Sequence, residues 1–293
     1  MSEHLSGRRA HRPIGTPEAA SRHTVTFRTL ALGAGALLIG FMSACAPPSG
    51  KPPVGPPATV PPKPPVTPLA VWMMDEATGP VMHDSVAPFQ NGRMGSRVVP
   101  TGGVFDFFGW ISNVDANGVL FGAVSETAGE VSVPDRTHLL EPRNGAFSVT
   151  GTIRSRLTAA GQLPVGAPGT SFNVVQKARA NNRGGFWKVE IGGSGPHRGR
   201  LICTLGDGSS VVVVASPVLV GDGAWHTFGC WLGRGAFVAQ VDGHAQAVAA
   251  SQIVTVNPVD RFSGEVAVGK KPGSTDPGDA FSGWIGEIHV DAG

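Results

Sequence analysis

Short apolar runs separated by turn residues fill most of the chain and restrict its fold more than any other feature of the sequence. Runs such as 145–155 and 209–218 are rich in valine, isoleucine and phenylalanine. The segment 237–249 contains Asp242-Gly243, a pair that strongly favours a tight turn between antiparallel strands. Many short strands without helical periodicity between them predict an all-β antiparallel sandwich rather than a parallel α/β sheet.

Composition divides the 293-residue chain into three segments. We expect a signal peptide over residues 1–44, a lipid anchor and disordered proline-rich linker over 45–68, and a β-sandwich domain over 69–293. The last segment has a size usual for a single sandwich. The linker is expected to be an extended polyproline II spacer that reaches about 70 Å, and a docking site for a proline-reading domain is the disfavoured alternative.

The junction at Cys45 indicates where the protein is located. The uncharged run 29–44 follows a basic start, and as a helix it would span about 24 Å, too short for a hydrocarbon core of about 30 Å. Such a run is typical of a secretory signal. Its last residues, with Cys45, resemble a bacterial lipobox, which implies that Cys45 is lipidated and becomes the new N-terminus. We therefore expect an exported protein, lipid-anchored at the extracellular face of the cell membrane. The alternative is plain secretion after cleavage at Ala44 or Ala46.

The cysteine count supports the lipid anchor. The chain has 3 cysteines, an odd number for an exported protein, and lipidation of Cys45 leaves Cys203 and Cys230 as a pair. Both lie on largely apolar strand faces, so we expect a structural disulfide between neighbouring strands. A metal–thiolate site is the disfavoured alternative, because no further cysteine is present to complete it.

The charge balance excludes one class of partner. Five of the 23 lysines and arginines precede Cys45, as do two of the 21 acidic residues, which leaves 18 basic and 19 acidic residues downstream. A mature chain without a basic surplus does not favour binding to nucleic acid or to anionic lipid. The lipid is therefore the expected contact with the membrane.

Several short signatures occur in order along the sandwich domain. They are Trp72, Glu76, Gly79 and Asp84 in the segment 70–85, followed by Asp222-Gly223, Trp225-His226 and Asp242-Gly243. Together they resemble laminin-G-like domains of the concanavalin A-like lectin/glucanase superfamily over about residues 69–290, and the cysteine pair resembles that of secreted actinobacterial members. Gly286 departs from the family pattern, which usually has Asp there. The resemblance implies a jelly roll of two curved antiparallel sheets.

Two adjacent residues of this pattern are given structural roles. Trp225 begins a strand after a tight turn, and we expect its large ring to be buried between the sheets. His226 is expected to be a packed or capped imidazole, with a catalytic base as the disfavoured alternative.

No catalytic motif is recognisable in the sequence. The glycosidases that share this fold need two carboxylates on one strand, about 5 Å apart, and no E-x-D-x-x-E string occurs. We therefore expect no catalytic residues and a non-catalytic binding module for a carbohydrate or another surface component. The alternatives are a polysaccharide-acting hydrolase or lyase on the same fold, or a purely structural surface protein.

We expect neither a cofactor nor a metal, although the resemblance leaves calcium possible. First and last strands commonly pair in this fold, which would bring Asp84 near Glu287. Two carboxylates with neighbouring carbonyl groups would suffice for a weak extracellular calcium site.

The segment 177–185 is the candidate ligand-binding loop. It begins with Lys177 and carries Arg179, Asn181, Asn182 and Arg183 between two expected strands. Guanidinium and amide groups offer the directional donors that sugar hydroxyls or carboxylates need. The alternative is a solvated hairpin tip without a partner. Because tyrosine is absent and loop aromatics are few, we do not expect a stacking platform for long glycans.

Overall fold

The computed structural model describes a subset of the chain. The described residues are 60–108, 112–115, 118–121, 129–135, 139–141, 146–156, 171–179, 185–206, 211–233, 235–249, 264–274 and 279–293. The predicted signal peptide, Cys45 and most of the proline-rich linker lie outside these ranges. So do the candidate ligand residues Asn181, Asn182 and Arg183.

Strands make up nearly all of the regular structure in these ranges. In chain order they are β1 (Thr67–Trp72), β2 (Val81–Met82), β3 (Gly92–Met94), β4 (Val98–Pro100), β5 (Phe105–Phe108), β6 (Ser112–Asp115), β7 (Gly118–Phe121), β8 (Val131–Val133), β9 (Phe147–Ser155), β10 (Ser171–Lys177), β11 (Phe186–Gly192), β12 (Arg200–Gly206), β13 (Val211–Leu219), β14 (Trp225–Gly233), β15 (Ala236–Val241), β16 (His244–Ala249), β17 (Val266–Val268) and β18 (Ser282–Ala292). A 3₁₀ turn, Gly195–His197, precedes β12. Within the described ranges no helix is long and apolar enough to cross a membrane.

The strands form two eight-stranded antiparallel sheets, which confirms the predicted jelly-roll sandwich. Sheet I has the order β16-β15-β14-β9-β18-β5-β4, and β1 also pairs with β18. Sheet II has the order β13-β12-β11-β10-β17-β8-β3-β2, while β6 and β7 form a separate pair. First and last strands pair as expected, from Thr67 opposite Ala292 to Trp72 opposite Ile288.

The hairpin between β15 and β16 has the turn that the sequence indicates. Asp242 and Gly243 connect the two strands and have backbone φ angles of 48° and 82°. Positive φ at both central residues defines a type I′ turn, whose twist matches that of the flanking strands. The turn therefore sets the register of the hairpin and fixes the position of the Asp242 carboxylate at its tip.

The core lies between the sheets, and a disulfide crosses it. Cys203 of β12 and Cys230 of β14 are 0% and 4% exposed and are bonded to each other. The predicted pairing is confirmed, but its predicted position is wrong, because the two strands belong to different sheets. The cysteines are 27 positions apart in the sequence. A bond that closes a loop of this length stabilises the fold by about 3–4 kcal/mol, because it lowers the conformational entropy of the unfolded chain.

The end of the proline-rich segment packs on sheet I. β1 begins at Thr67, two residues before the boundary that composition indicates. Ahead of it, the Lys63 ammonium lies 3.1 Å from the Asp291 carboxylate. Pro64 is buried, and a Cβ atom on Gly233 would lie 2.7 Å from its Cγ. The chain therefore joins the sandwich where β14 ends.

Candidate functional site

Trp225 lies on the outer face of sheet I, so the prediction of a buried ring is wrong. Its side chain is 45% exposed, whereas the adjacent His226 is 7% exposed. Successive side chains of a strand point to opposite faces, so both residues cannot face the core. Phe228 and Cys230 follow His226 at intervals of two and are also buried. This alternation directs Trp225 to the outer face.

Two carboxylates hold His226 in its inward position. Its Nδ1 lies 2.7 Å from Asp242 Oδ2 in the β15–β16 turn, and its Nε2 lies 2.8 Å from Asp222 Oδ1. Both aspartates are fixed by the backbone in turn. Asp242 Oδ1 accepts the Thr227 N–H at 2.9 Å, and Asp222 Oδ1 accepts the Ala224 N–H at 2.8 Å. The imidazole therefore connects two turns to the first residues of β14.

The same contacts shift the protonation equilibria of all three groups. Burial by itself lowers the pKa of His226, but the hydrogen bonds and negative charges of Asp222 and Asp242 outweigh it and raise that pKa above 6.5. Burial also raises the pKa of each aspartate. The hydrogen bonds from His226 and from backbone N–H groups, together with its positive charge, outweigh this and lower the pKa of Asp222 and of Asp242 below 3.8. The charged triad is therefore the favoured form at mildly acid pH.

A groove of about 430 Å³ lies beside Trp225. It is lined by Met73, Gly103, Val104, Thr152, Trp225, His226, Thr227, Asp242, Gly286 and Glu287. Thr227 and Thr152 lie opposite each other on the paired strands β14 and β9. The Glu287 side chain is 40% exposed and lies at the irregularity in β18. An indole face, two hydroxyls and a carboxylate thus border one concave surface.

Gly286 keeps this groove open. A Cβ atom at this position would collide with the Thr152 hydroxyl. The Asp that the family pattern has here would therefore project into the space beside Thr152. The same hydroxyl accepts the Glu287 N–H at 3.2 Å, which fixes the backbone at the groove floor. The departure from the family pattern thus has a direct consequence for the shape of the site.

Trp225 is the described tryptophan whose ring is open to a ligand. Trp72 and Trp187 are in the core, and Trp231 is 4% exposed. Trp284 is covered by two arginines, with the guanidinium carbons of Arg154 and Arg156 lying 5.0 Å and 4.3 Å from the ring centroid. Cation–π contacts of this kind occupy the ring face.

The described residues of the predicted ligand loop do not line the groove. Lys177 is 0% exposed and its ammonium lies 3.0 Å from the Asp135 carboxylate, so it belongs to the core rather than to an accessible loop. Arg179 donates from Nε to the Pro272 carbonyl at 2.6 Å. It lines a second cavity of about 430 Å³ together with Gly264 and other residues.

Asp84 holds a turn together through its carboxylate. The oxygen atoms accept N–H groups of Val71 and Val86 at 2.8 and 3.0 Å, and of Gln90 at 2.9 Å. These bonds give the Asp84 carboxylate a structural role in the turn. Within the described ranges, no group of three or more His, Cys, Asp or Glu side chains is arranged to hold a metal ion.

Comparison with known proteins identifies the fold but not a family. No protein-family model and no curated protein matches the sequence. Among solved structures, the chain is similar to botulinum neurotoxin type C, which depends on two ganglioside molecules to get into cells, with a TM-score of 0.51, 14% identity, and coverage of 77% of this chain and 48% of that one. The chain is also similar to the botulinum neurotoxin serotype G binding domain. The TM-score is 0.51 and the identity is 13%, with coverage of 76% of this chain and 47% of that one.

A mouse laminin α1 fragment containing domains LG4-5 also matches, with a TM-score of 0.39, 20% identity, and coverage of 56% of this chain and 40% of that one. The chain spans about half the length of the toxin structures. The likeness to the two toxin structures shows a shared fold.

The His226 triad predicts a specific dependence of stability on pH. Because the folded pKa of His226 is raised, its contribution is complete below about 6.5 and is lost as pH rises through the folded value. Because the folded pKa values of Asp222 and Asp242 are lowered, the contribution of these two groups to stability is present above about pH 3.8. It is lost as pH falls through the folded values. The free energy of unfolding of the wild type, measured in urea, should therefore decline as pH rises above about 6.5, and His226→Asn should lack this decline. Parallel curves for the two proteins between pH 6 and 9 would contradict this assignment.

Proposed function

We propose that this protein is a non-catalytic glycan-binding module that is lipid-anchored at the cell surface and binds its ligand in the Trp225 groove. The observation that carries the proposal is an indole ring 45% exposed at the border of a concavity that has both apolar and polar lining residues. A ring of this size is normally buried unless a partner covers it. The groove then supplies the surface on which that partner rests.

The chemistry of the groove suits a sugar ring. The apolar C–H face of a sugar packs on an indole, while its hydroxyls need several directional partners. The Thr152 hydroxyl can donate to a sugar. The Thr227 hydroxyl, which donates to Asp242 Oδ1, can accept, and so can the Glu287 carboxylate. A concave surface with one aromatic wall and few polar groups is the usual form of a small-ligand site. The toxin that depends on gangliosides supports a glycan partner by analogy of fold.

The carboxylates of the groove favour binding over hydrolysis. Retaining glycosidases use a pair of carboxylates with separate acid and nucleophile roles. Of the two carboxylates that line this groove, Asp242 is bonded to His226 and to the Thr227 amide and hydroxyl. That leaves Glu287 for a ligand. We therefore infer that the groove holds a glycan without cleaving it.

The position of the linker supports display at a surface. Lys63 and Pro64 contact the sandwich beside Asp291 and Gly233, where β14 and β18 end. Trp225 begins β14, so the groove lies about 26 Å away along the strand direction. The groove is therefore at the opposite end of β14 from the point where Lys63 and Pro64 contact the sandwich.

The anchor itself is directly testable. We expect the mature N-terminus to be a diacylated Cys45, because the residues before it resemble a lipobox and the other two cysteines are bonded to each other. Mass spectrometry of the N-terminal peptide from the membrane fraction provides the measurement. A soluble mature form that starts at Pro47, or at an unmodified Cys45, would contradict lipid anchoring.

Substitution of the indole tests the binding site. Trp225→Ala should weaken binding of the tightest glycan from an oligosaccharide array by roughly thirtyfold, the equivalent of about 2 kcal/mol for a central aromatic contact. The melting temperature should change little, because the ring is not in the core. Titration calorimetry gives the affinity.

A matched control separates the groove from general surface effects. Phe89 is 65% exposed and does not line the groove, so Phe89→Ala removes an exposed aromatic elsewhere. We expect wild-type affinity for this variant. Equal loss in both variants, or unchanged affinity in Trp225→Ala, would contradict the groove as the binding site.

A further inference from the structure

We propose that the groove selects uncharged glycans and rejects acidic ones, an inference that rests on the proposed glycan-binding function. The groove and its supports carry three carboxylates, from Glu287, Asp242 and Asp222. Among the described residues, its lining includes no lysine and no arginine. A sugar that bears a carboxylate or sulfate would therefore meet like charge without a guanidinium or ammonium partner.

The positive charge of His226 does not offset these carboxylates for a ligand. Both ring nitrogens face aspartate oxygens, at 2.7 and 2.8 Å, so neither N–H is directed at the groove. When the imidazole is protonated, the triad of one cation and two anions still has a net charge of about −1. When the imidazole is neutral, the net charge is about −2. The triad therefore repels an acidic ligand in either form.

Arg154 lies beside Trp225 on the neighbouring strand, and its guanidinium has other partners. Arg154 lies opposite Trp225 in the pairing of β9 with β14. Its Nε donates to the Gly223 carbonyl at 2.7 Å, and its guanidinium lies over the Trp284 ring. Arg156 is bonded through its Nη2 to both oxygens of Asp106. These contacts direct both cations toward protein groups outside the groove.

The polar groups that do face the groove suit hydroxyls. Thr152 and Thr227 offer hydroxyl groups, and Glu287 accepts hydrogen bonds. Glu287 Oε2 lies 3.2 Å from His289 Nε2, which leaves its other oxygen available to a sugar O–H. A neutral sugar can form these bonds without an electrostatic penalty. An acidic sugar that forms the same bonds is repelled by the negative charges of Glu287 and the triad.

The test compares matched neutral and acidic sugars on the mature full-length protein in detergent. Lactose is paired with sialyllactose, and a neutral galactose trisaccharide with trigalacturonate. In low salt we expect the acidic member of a bound pair to bind at least about tenfold more weakly than the neutral member. The difference should narrow as salt rises, because exposed charges are screened. An acidic member that binds as tightly as its neutral partner would overturn the inference while leaving glycan binding intact.

A charge-removing variant assigns the selectivity to the groove. Glu287→Gln keeps the size of the side chain and should reduce the neutral-to-acidic affinity ratio at least about threefold. Glu265→Gln, at the second cavity, is the matched control and should leave the ratio unchanged. An unchanged ratio in Glu287→Gln would overturn the role of Glu287. If no sugar of either class binds the wild type, the proposed function itself fails and this inference fails with it.

Discussion

The placement of His226 between Asp222 and Asp242 determines the geometry of the candidate site. The imidazole connects the turn before β14, the first residues of β14 and the turn between β15 and β16. An inward His226 requires an outward Trp225, because adjacent strand residues face opposite sides. The exposed indole is therefore a consequence of the inward His226, whose two aspartate partners are partly exposed, at 38% and 39%. A buried charge of this kind is tolerated because both ring nitrogens are paired.

The two sheets supply a rigid support for this arrangement. The Cys203–Cys230 bond fixes β14 to β12 across the core, a few residues beyond the triad. β18 pairs with β9, β5 and β1, and it brings Glu287 and Gly286 beside Thr152. The groove is therefore built mainly on paired strands, and sites on strands are held more precisely than sites on loops. Residues that border the groove on the outer face of sheet I can therefore vary without disturbing the core.

Local features of the sequence predicted much of this fold, but the site depended on contacts between distant segments. The strands, the Asp242-Gly243 turn and the cysteine pair could be predicted from the sequence. Strands and turns depend on neighbouring residues, and the pair followed from the number of cysteines. The sequence does not show which strands belong to the same sheet. The disulfide was therefore expected within one sheet, although it connects two. Lys177 was expected in an accessible loop because its partner, Asp135, is 42 positions away in the sequence.

Trp225 shows where sequence reasoning could have gone further. The expectation that both Trp225 and His226 are buried conflicts with the two-residue period of a strand. Of the two, His226 is the better candidate for the inward position, because the two Asp-Gly turns nearby offer carboxylate partners for a buried imidazole. Gly286 could be recognised as a departure from the family pattern, but its effect requires the position of Thr152 on a different strand. Packing across strands is not encoded in local pattern, so the groove became apparent only from the structure.

The most direct test of this account is to map the ligand contact by NMR. The protein, labelled with ¹⁵N, is titrated with the tightest oligosaccharide from the array. We expect the largest shifts at the Trp225 indole N–H and at the amides of Thr227, Thr152 and Glu287, which line the groove. Shifts confined to Ala178, Arg179, Gly264 and Gly273, which line the second cavity, would contradict the account.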